Sequence, residues 1–158
     1  MRILIALLIT FVAGAASAQE WQRFASDRFG FALDIPPGFE VSNVSGNGDG
    51  RLYHGAGGDH LLAVWGADLG RGGFLPEVEE RIAQDAADGW DISYERLTRG
   101  WASYSGSAEG NIRYVRAVRL CDDRAAFFYL EYPREDKIAL DPVVVRLVRS
   151  MKRTSGCT

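Results

Sequence analysis

The chain has 158 residues, of which 47% are hydrophobic, and its 18 Lys and Arg against 21 Asp and Glu give a formal net charge of −3. This size predicts a single domain that can bury a core without help from a metal ion. The mild acidity argues against nucleic acid as a partner, because a nucleic-acid-binding surface requires a basic face.

The first eighteen residues have the three parts of a secretory signal peptide. Arg2 supplies a positive charge, residues 3–12 form an apolar run, and small residues lead to Ala18. The apolar run is about half the length of a membrane-spanning helix, which favours cleavage after Ala18 over a retained anchor. The sequence therefore predicts a signal peptide at 1–18 and a mature domain at 19–158 that is periplasmic or secreted, has no membrane span and carries a net charge of −4.

The first half of the mature chain alternates in the manner of β-strands. Residues 29–35 place Phe and aliphatic side chains at every second position, and the Pro-Pro-Gly at 36–38 ends that strand. Residues 42–50 are rich in Ser, Asn, Asp and Gly and predict a loop. Residues 51–54 and 60–67 then predict a hairpin across a glycine-rich turn.

One helix is predicted in the middle of the chain. Pro76 suits the first helical position, and the acidic residues that follow it suit the positive end of the helix dipole. Apolar residues at helical spacing predict its buried stripe, and Gly89 is predicted to cap its end. The stripe consists of Leu75, Val78, Ile82 and Ala86.

Four further strands are predicted at 91–97, 101–106, 112–120 and 125–132. The turns between them are short enough to join only antiparallel neighbours, so these strands form a meander. A second helix is predicted to begin at Asp141-Pro142, with Val144, Leu147, Val148 and Met151 facing inward. The predicted fold class is α+β, with a single antiparallel sheet packed by a mid-chain helix and a C-terminal helix.

The two cysteines, Cys121 and Cys157, predict one disulfide bond, because an even pair in an exported chain is oxidised in its compartment. The bridge would tie the last residues to the end of a central strand. The alternative is a redox pair, but catalytic cysteine pairs lie close together at the start of a helix, and these two do not.

The order of strands, turns and helices along the chain resembles that of a known fold family. The chain has an early aromatic strand with Phe-Gly-Phe at 29–31, Ile-Pro-Pro-Gly-Phe at 35–39, an Asn-Gly-Asp-Gly turn at 47–50, a helix, a meander and a C-terminal helix opening at 141–142. This order is similar to the PsbP-like fold, which is shared by the extrinsic photosystem II protein, a Ran-binding import factor and many small exported bacterial proteins. The resemblance implies an antiparallel sheet with helices packed against it. It transfers no functional residue, because no binding residue of those relatives matches a position here.

Two groups of residues are candidates for a metal site, but the sequence predicts neither a bound metal ion nor a cofactor. Asn47 and Asp49 alternate before Gly50 as in a calcium-binding loop, but no Glu occupies the twelfth position. His54 and His60 flank the glycine-rich turn, with Asp59 beside the second histidine. Ordinary turn and surface roles are the alternative for both groups. The chain has no Gly-x-Ser-x-Gly elbow and no lysine-bearing phosphate loop.

The function hypothesis from sequence is an exported non-enzymatic interaction module, an accessory or inhibitor-like protein whose partner is an envelope or extracellular protein. The four tryptophans and six tyrosines could form a binding surface or fill the core, and core filling is preferred. Trp101 and Tyr104 are expected on opposite faces of their strand. The alternatives are a small metal-dependent or hydrolytic enzyme around His54, Asp59 and His60, or a small-ligand carrier with a cleft between sheet and helix.

Overall fold

The computed structural model describes residues 20–154, and within this range the chain forms ten β-strands and two α-helices. The helices are α1 (Phe74–Ala87) and α2 (Lys137–Ser150), and α2 follows a short 3-10 turn at Arg134–Asp136. The strands are β1 (Gln22–Ser26), β2 (Phe31–Ile35), β3 (Glu40–Val44), β4 (Gly50–His54), β5 (Leu61–Asp68), β6 (Asp91–Leu97), β7 (Trp101–Ala108), β8 (Asn111–Arg119), β9 (Arg124–Pro133) and β10 (Lys152–Arg153). No helix in this range is long and apolar enough to cross a membrane.

The described strands form two sheets, so the predicted single sheet is wrong. A seven-stranded antiparallel sheet has the order β3-β4-β5-β9-β8-β7-β6, and a second sheet has the order β1-β2-β10. The early aromatic strand β2 pairs with β1 and with the two residues of β10, and it does not join the large sheet. The Pro36-Pro37-Gly38 turn separates the two sheets, because proline cannot continue a hydrogen-bonded ladder and Gly38 takes a positive φ of 78°. The fold is thus mostly β, with the helices as packing elements.

The alternation predicted for the early strand is confirmed. Phe29, Phe31, Leu33 and Ile35 are all buried, and Asp34 is only half-buried. Ala32 is also buried, where β10 pairs with β2 opposite it. The strand itself starts at Phe31, because Gly30 adopts a positive φ in the turn that follows β1.

The predicted mid-chain helix is confirmed, with small changes at its ends. It begins two residues before Pro76, which therefore lies in its first turn. At the other end Gly89 has a φ of 96°, the N–H of Gly89 donates to the carbonyl of Ala86, and the N–H of Trp90 donates to that of Asp85. This is a Schellman motif, in which a glycine beyond the helix satisfies its last carbonyls. Ala86 is exposed and does not belong to the buried stripe, whose first member is instead Phe74.

The predicted meander of β6 to β9 is confirmed, and the hairpin of β4 and β5 is confirmed as well. Strand β9 lies fourth among the seven strands and is covered on both faces. On one face, Phe128 and Leu130 belong to the main core beneath the small sheet and α2. On the opposite face, Phe127 packs with Phe74 and Val78 of α1.

The second helix starts five residues earlier than predicted, since Pro142 was expected as its first residue. It begins at Lys137, and Pro142 lies inside it as the sixth residue. A proline there cannot donate to the carbonyl of Ile138. The helix tolerates this loss because Pro142 is on the exposed side, where water can take the place of the missing donor. The predicted inward stripe is confirmed, since Leu147 and Met151 are buried and Val144 and Val148 pack against the main core.

Both edge strands of the large sheet are interrupted. In β3 the register shifts between Val41 and Asn43, and in β6 it shifts between Ile92 and Tyr94. All five residues of β3 are exposed, which explains why its polar composition suggested a loop. The predicted loop at 42–50 is therefore a strand to Val44 followed by a turn.

Candidate functional site

The calcium-loop candidates hold a turn together. The carboxylate of Asp49 is half-buried and accepts a hydrogen bond from Arg28 at 2.5 Å and another from the side-chain amide of Asn47. The backbone carbonyl of Asp49 accepts from the N–H of Gly66 at 3.0 Å. The backbone contact joins the turn to β5, and the Asp49 carboxylate forms an ion pair with the Arg28 guanidinium.

The histidine candidates lie at the opposite end of the same hairpin. The Nε2 atom of His60 is 2.8 Å from the carboxylate of Asp136, and its ring stacks on Phe39 with ring centres 6.3 Å apart. His54 and Asp59 are exposed. Within residues 20–154, no three His, Cys, Asp or Glu side chains come together in a way that could hold a metal ion.

Of the two cysteines, Cys121 is half-buried in the turn between β8 and β9, and Cys157 lies outside the described residues. The disulfide bond stays a prediction. Cys121 and Arg153 of β10 line one groove of about 690 Å³ at this end of the sheet. The fold thus brings the C-terminal end of the described chain to the groove that contains Cys121.

Each of the four tryptophans is half-buried and has an arginine guanidinium over its ring. Core filling was the preferred expectation for the tryptophans and tyrosines. It holds for the buried Tyr53, Tyr104 and Tyr132 and for Trp65, which packs against the core under α1, but no tryptophan is fully buried. The guanidinium carbon lies 4.1 Å to 5.5 Å from the ring centre, within the range of a cation–π contact. The pairs are Trp21 with Arg146, Trp65 with Arg81, Trp90 with Arg113, and Trp101 with Arg96 and Arg116.

Three of these tryptophans have an arginine that is paired with a carboxylate, although Asp34, the partner of Arg146, is also bound by Arg23 at 3.0 Å. Arg146 faces Asp34 at 3.4 Å, and Arg81 faces Glu77 at 2.6 Å. Arg113 is held by both Asp85 and Glu131. In the described part of the chain, Arg96 and Arg116 have no carboxylate within ion-pair distance. The two cations over Trp101 are therefore uncompensated.

These two arginines lie on one face of the meander, which we call the Trp101 surface and define by Tyr94, Arg96, Trp101 and Arg116. Cross-strand register places all four on the side of the sheet opposite α1, and it confirms that Trp101 and Tyr104 point to opposite faces. Tyr94 is 44% exposed. Sequence analysis did not identify this surface. A three-residue turn at 98–100 would pair residue 97 with residue 101 and place Arg96 on the other face, whereas the structure pairs Leu97 with Ala102 and Arg96 with Ser103.

Arg116 is the least satisfied group on the Trp101 surface. Its Nη1 donates to Ser103 at 3.0 Å, whereas its Nε is buried without a hydrogen-bond partner among the described residues. Burial lowers the pKa of the Arg116 guanidinium from its ordinary value, and Tyr114 and Tyr94 act weakly in the opposite direction. A cation that has lost part of its hydration gains more from an external carboxylate than a fully hydrated one does.

The opposite face of the meander carries a compact polar network under α1. Asp85 accepts hydrogen bonds from the hydroxyl of Tyr104 at 2.8 Å and from Arg113 at 2.6 Å. A cavity of about 240 Å³ adjoins this network, with Trp65 and Tyr129 in its wall. This is the cleft between sheet and helix that the carrier alternative requires, and the chain's own Arg81 and Arg113 line it.

The buried phenols of this fold predict a loss of stability at alkaline pH. Burial raises the pKa of Tyr104 far above its ordinary value, and the hydrogen bond to Asp85 adds to the shift. Above about pH 10 the unfolded chain releases this proton while the folded chain keeps it, so stability present below pH 10 falls by roughly 1.4 kcal/mol per pH unit. Urea unfolding across this range should show a shallower decline for Tyr104→Phe than for the unmodified protein. Equal pH slopes would contradict this assignment.

With fold and surfaces defined, the chain can be compared with known proteins. No protein-family model matches it, and no curated protein matches it in sequence. Solved structures do match. The two-sheet fold with its helices is similar to cyanobacterial PsbP (CyanoP) from Synechocystis sp. PCC 6803, with a TM-score of 0.63 and 15% identity over 89% of this chain and 96% of that one. It is also similar to the Ran-binding protein Mog1p of Saccharomyces cerevisiae, with a TM-score of 0.62 and 11% identity over 87% of this chain and 97% of that one. The chain has the PsbP-like fold, which confirms the resemblance seen in its sequence.

Proposed function

We propose that this protein is an exported, non-enzymatic interaction module of the cell envelope, and that it binds an acidic segment of a protein partner through the Trp101 surface. One observation carries the proposal. Arg96 and Arg116 stack on Trp101 without a carboxylate in the described chain, whereas each of the other three tryptophans has an arginine that is paired with one.

The composition of the surface supports this role. Trp, Tyr and Arg are the residues that most often dominate the binding energy of protein interfaces, and here they are adjacent on an open sheet face. A carboxylate docked beside Arg116 would supply the charge partner that this half-buried cation lacks. The interaction module is also consistent with Mog1p, which is described as Ran-binding. The export part of the proposal depends on residues 1–18, which lie outside the described range.

The experiment places a photo-crosslinking amino acid at Tyr94 in living cells, with Val44 as the control position. Val44 is 51% exposed on the opposite edge strand. We expect a specific adduct at Tyr94 that is not formed at Val44, and mass spectrometry then identifies the partner and its acidic segment. Separating the cells into cytosolic and envelope fractions before the mass spectrometry also shows whether the protein is exported.

A matched pair of variants tests whether the Trp101 surface makes the contact. Trp101→Ala should weaken binding of the identified partner by about 2 kcal/mol, or roughly thirtyfold, as expected for an interface hot spot. Trp21→Ala is the control, because Trp21 also has an arginine over its ring, Arg146, but this arginine is paired with Asp34. Arg96→Gln, at an exposed position that leaves the core intact, should weaken binding and reduce its salt dependence. Equal affinity of the Trp101 and Trp21 variants would refute the proposed surface.

A further inference from the structure

Helix α2 exposes an apolar stripe that no described element covers. Ile138 is 86% exposed and Val145 is 46% exposed, and Pro142 between them is exposed as well. The apolar stripe occupies positions 138, 142 and 145, and exposed Arg149 continues the same line, which extends for about 16 Å along the helix. Single exposed apolar residues are common, but a stripe at helical spacing indicates an interaction face.

The C-terminal end of this stripe is basic in a chain that is acidic overall. From Pro142 to Thr158 the sequence contains four basic residues and no Asp or Glu, whereas the whole chain has a net charge of −3. Two of the four basic residues are available to this face, Arg149 on the helix and Lys152 at the start of β10, whereas Arg146 is paired with Asp34 and Arg153 lines the groove that contains Cys121. The nearest acidic residue on the helix, Asp141, is paired with Lys137 at 3.1 Å. Charge is therefore separated, with a positive end at the C-terminal part of α2.

We infer that the outer face of α2 docks on an anionic lipid surface. Apolar side chains flanked by Lys and Arg on one side of a helix are what an interfacial helix uses, with the apolar groups entering the headgroup region and the cations contacting lipid phosphates. The helix lies on the surface of the fold, with its opposite side buried in the main core, so docking requires no unfolding. This face is separate from the Trp101 surface, and the inference does not depend on the proposed protein partner.

Vesicle sedimentation tests the inference with the purified protein, whose amino terminus is determined by mass spectrometry. We expect the protein to bind phosphatidylglycerol vesicles and to stay in solution with phosphatidylcholine vesicles. Removing two charges with Arg149→Gln and Lys152→Gln together should reduce the partition coefficient about thirtyfold. Ile138→Ser should reduce it roughly tenfold, because it removes the most exposed apolar contact.

Val41→Ser is the matched control, since Val41 is 50% exposed but lies on β3, away from α2. It should bind vesicles like the unmodified protein, and circular dichroism should show that all variants keep their fold. Equal binding to both lipids, or binding that the α2 variants leave unchanged, would overturn the inference. The protein is also tested on immobilised polyglutamate. If it binds polyglutamate but not vesicles, and the Arg149→Gln, Lys152→Gln variant loses that binding, then this face docks an acidic protein and the lipid assignment is wrong.

Discussion

Replacing Gly66 with alanine should lower the free energy of unfolding by about 3 kcal/mol, at the upper end of the cost of overpacking a core. Gly66 lies in β5 of the large sheet, and the ring of Phe29 from the turn after β1 presses directly on it. A β-carbon at residue 66 would lie 2.2 Å from Cγ and 2.8 Å from Cβ of Phe29. The Cβ of Phe29 is fixed by its backbone, so the two sheets would have to separate.

Urea unfolding followed by circular dichroism measures this effect. Gly46→Ala is the control, because a β-carbon there meets nothing within 4 Å and the change should stay within about 0.5 kcal/mol. Combining Gly66→Ala with Phe29→Ala should cost less than the sum of the two single changes, because the second change removes the ring atoms that the new β-carbon would meet at 2.2 Å and 2.4 Å. An unchanged unfolding midpoint for Gly66→Ala would show that the sheets are not packed this closely.

Loss of the proposed disulfide bond between Cys121 and Cys157 should cost about 4 kcal/mol, the chain-entropy value for a closed loop of 37 residues. The described structure supports the proposal in one respect, because Arg153 of β10 lines the same groove as Cys121. Unfolding of the Cys121→Ser, Cys157→Ser double variant measures the cost under oxidising conditions.

Thiol counting gives an independent answer about this bond. The unfolded, unreduced protein should show no free thiol, and two thiols should appear after reduction. Two thiols without reduction would exclude the bond. In that case reducing agent should also leave the stability unchanged, and the export assignment would lose one of its supports.

Local patterns predicted most of the elements correctly, because the determinants of each element are close together in the sequence. Alternation identified the buried face of β2, helical spacing identified α1 and the inner side of α2, and short turns identified the meander. The order of these elements and of the Pro- and Gly-containing turns between them also indicated the PsbP-like fold, which the structural comparisons confirmed.

The pairing of strands that are distant in the sequence could not be predicted from local patterns in the same way. Whether β2 joins the large sheet or a second one depends on its pairing with β10, more than a hundred residues away. The start of α2 was misplaced because Asp141-Pro142 is a common helix opening, whereas here the helix continues through an exposed proline. The Trp101 surface was missed because its arginines come from two different strands, and cross-strand register is what brings them to one ring.

The shifted registers of β3 and β6 bear on how the protein behaves at high concentration. An open sheet can grow by capturing a strand from a neighbouring molecule, and this growth is the first step toward fibrils. A bulge within each terminal strand leaves an incoming strand with mismatched donors and acceptors after a few residues. The edge strand β1 of the small sheet pairs with β2 over five residues without such a shift, so an added strand would find a regular ladder at that edge and not at the edges of the large sheet.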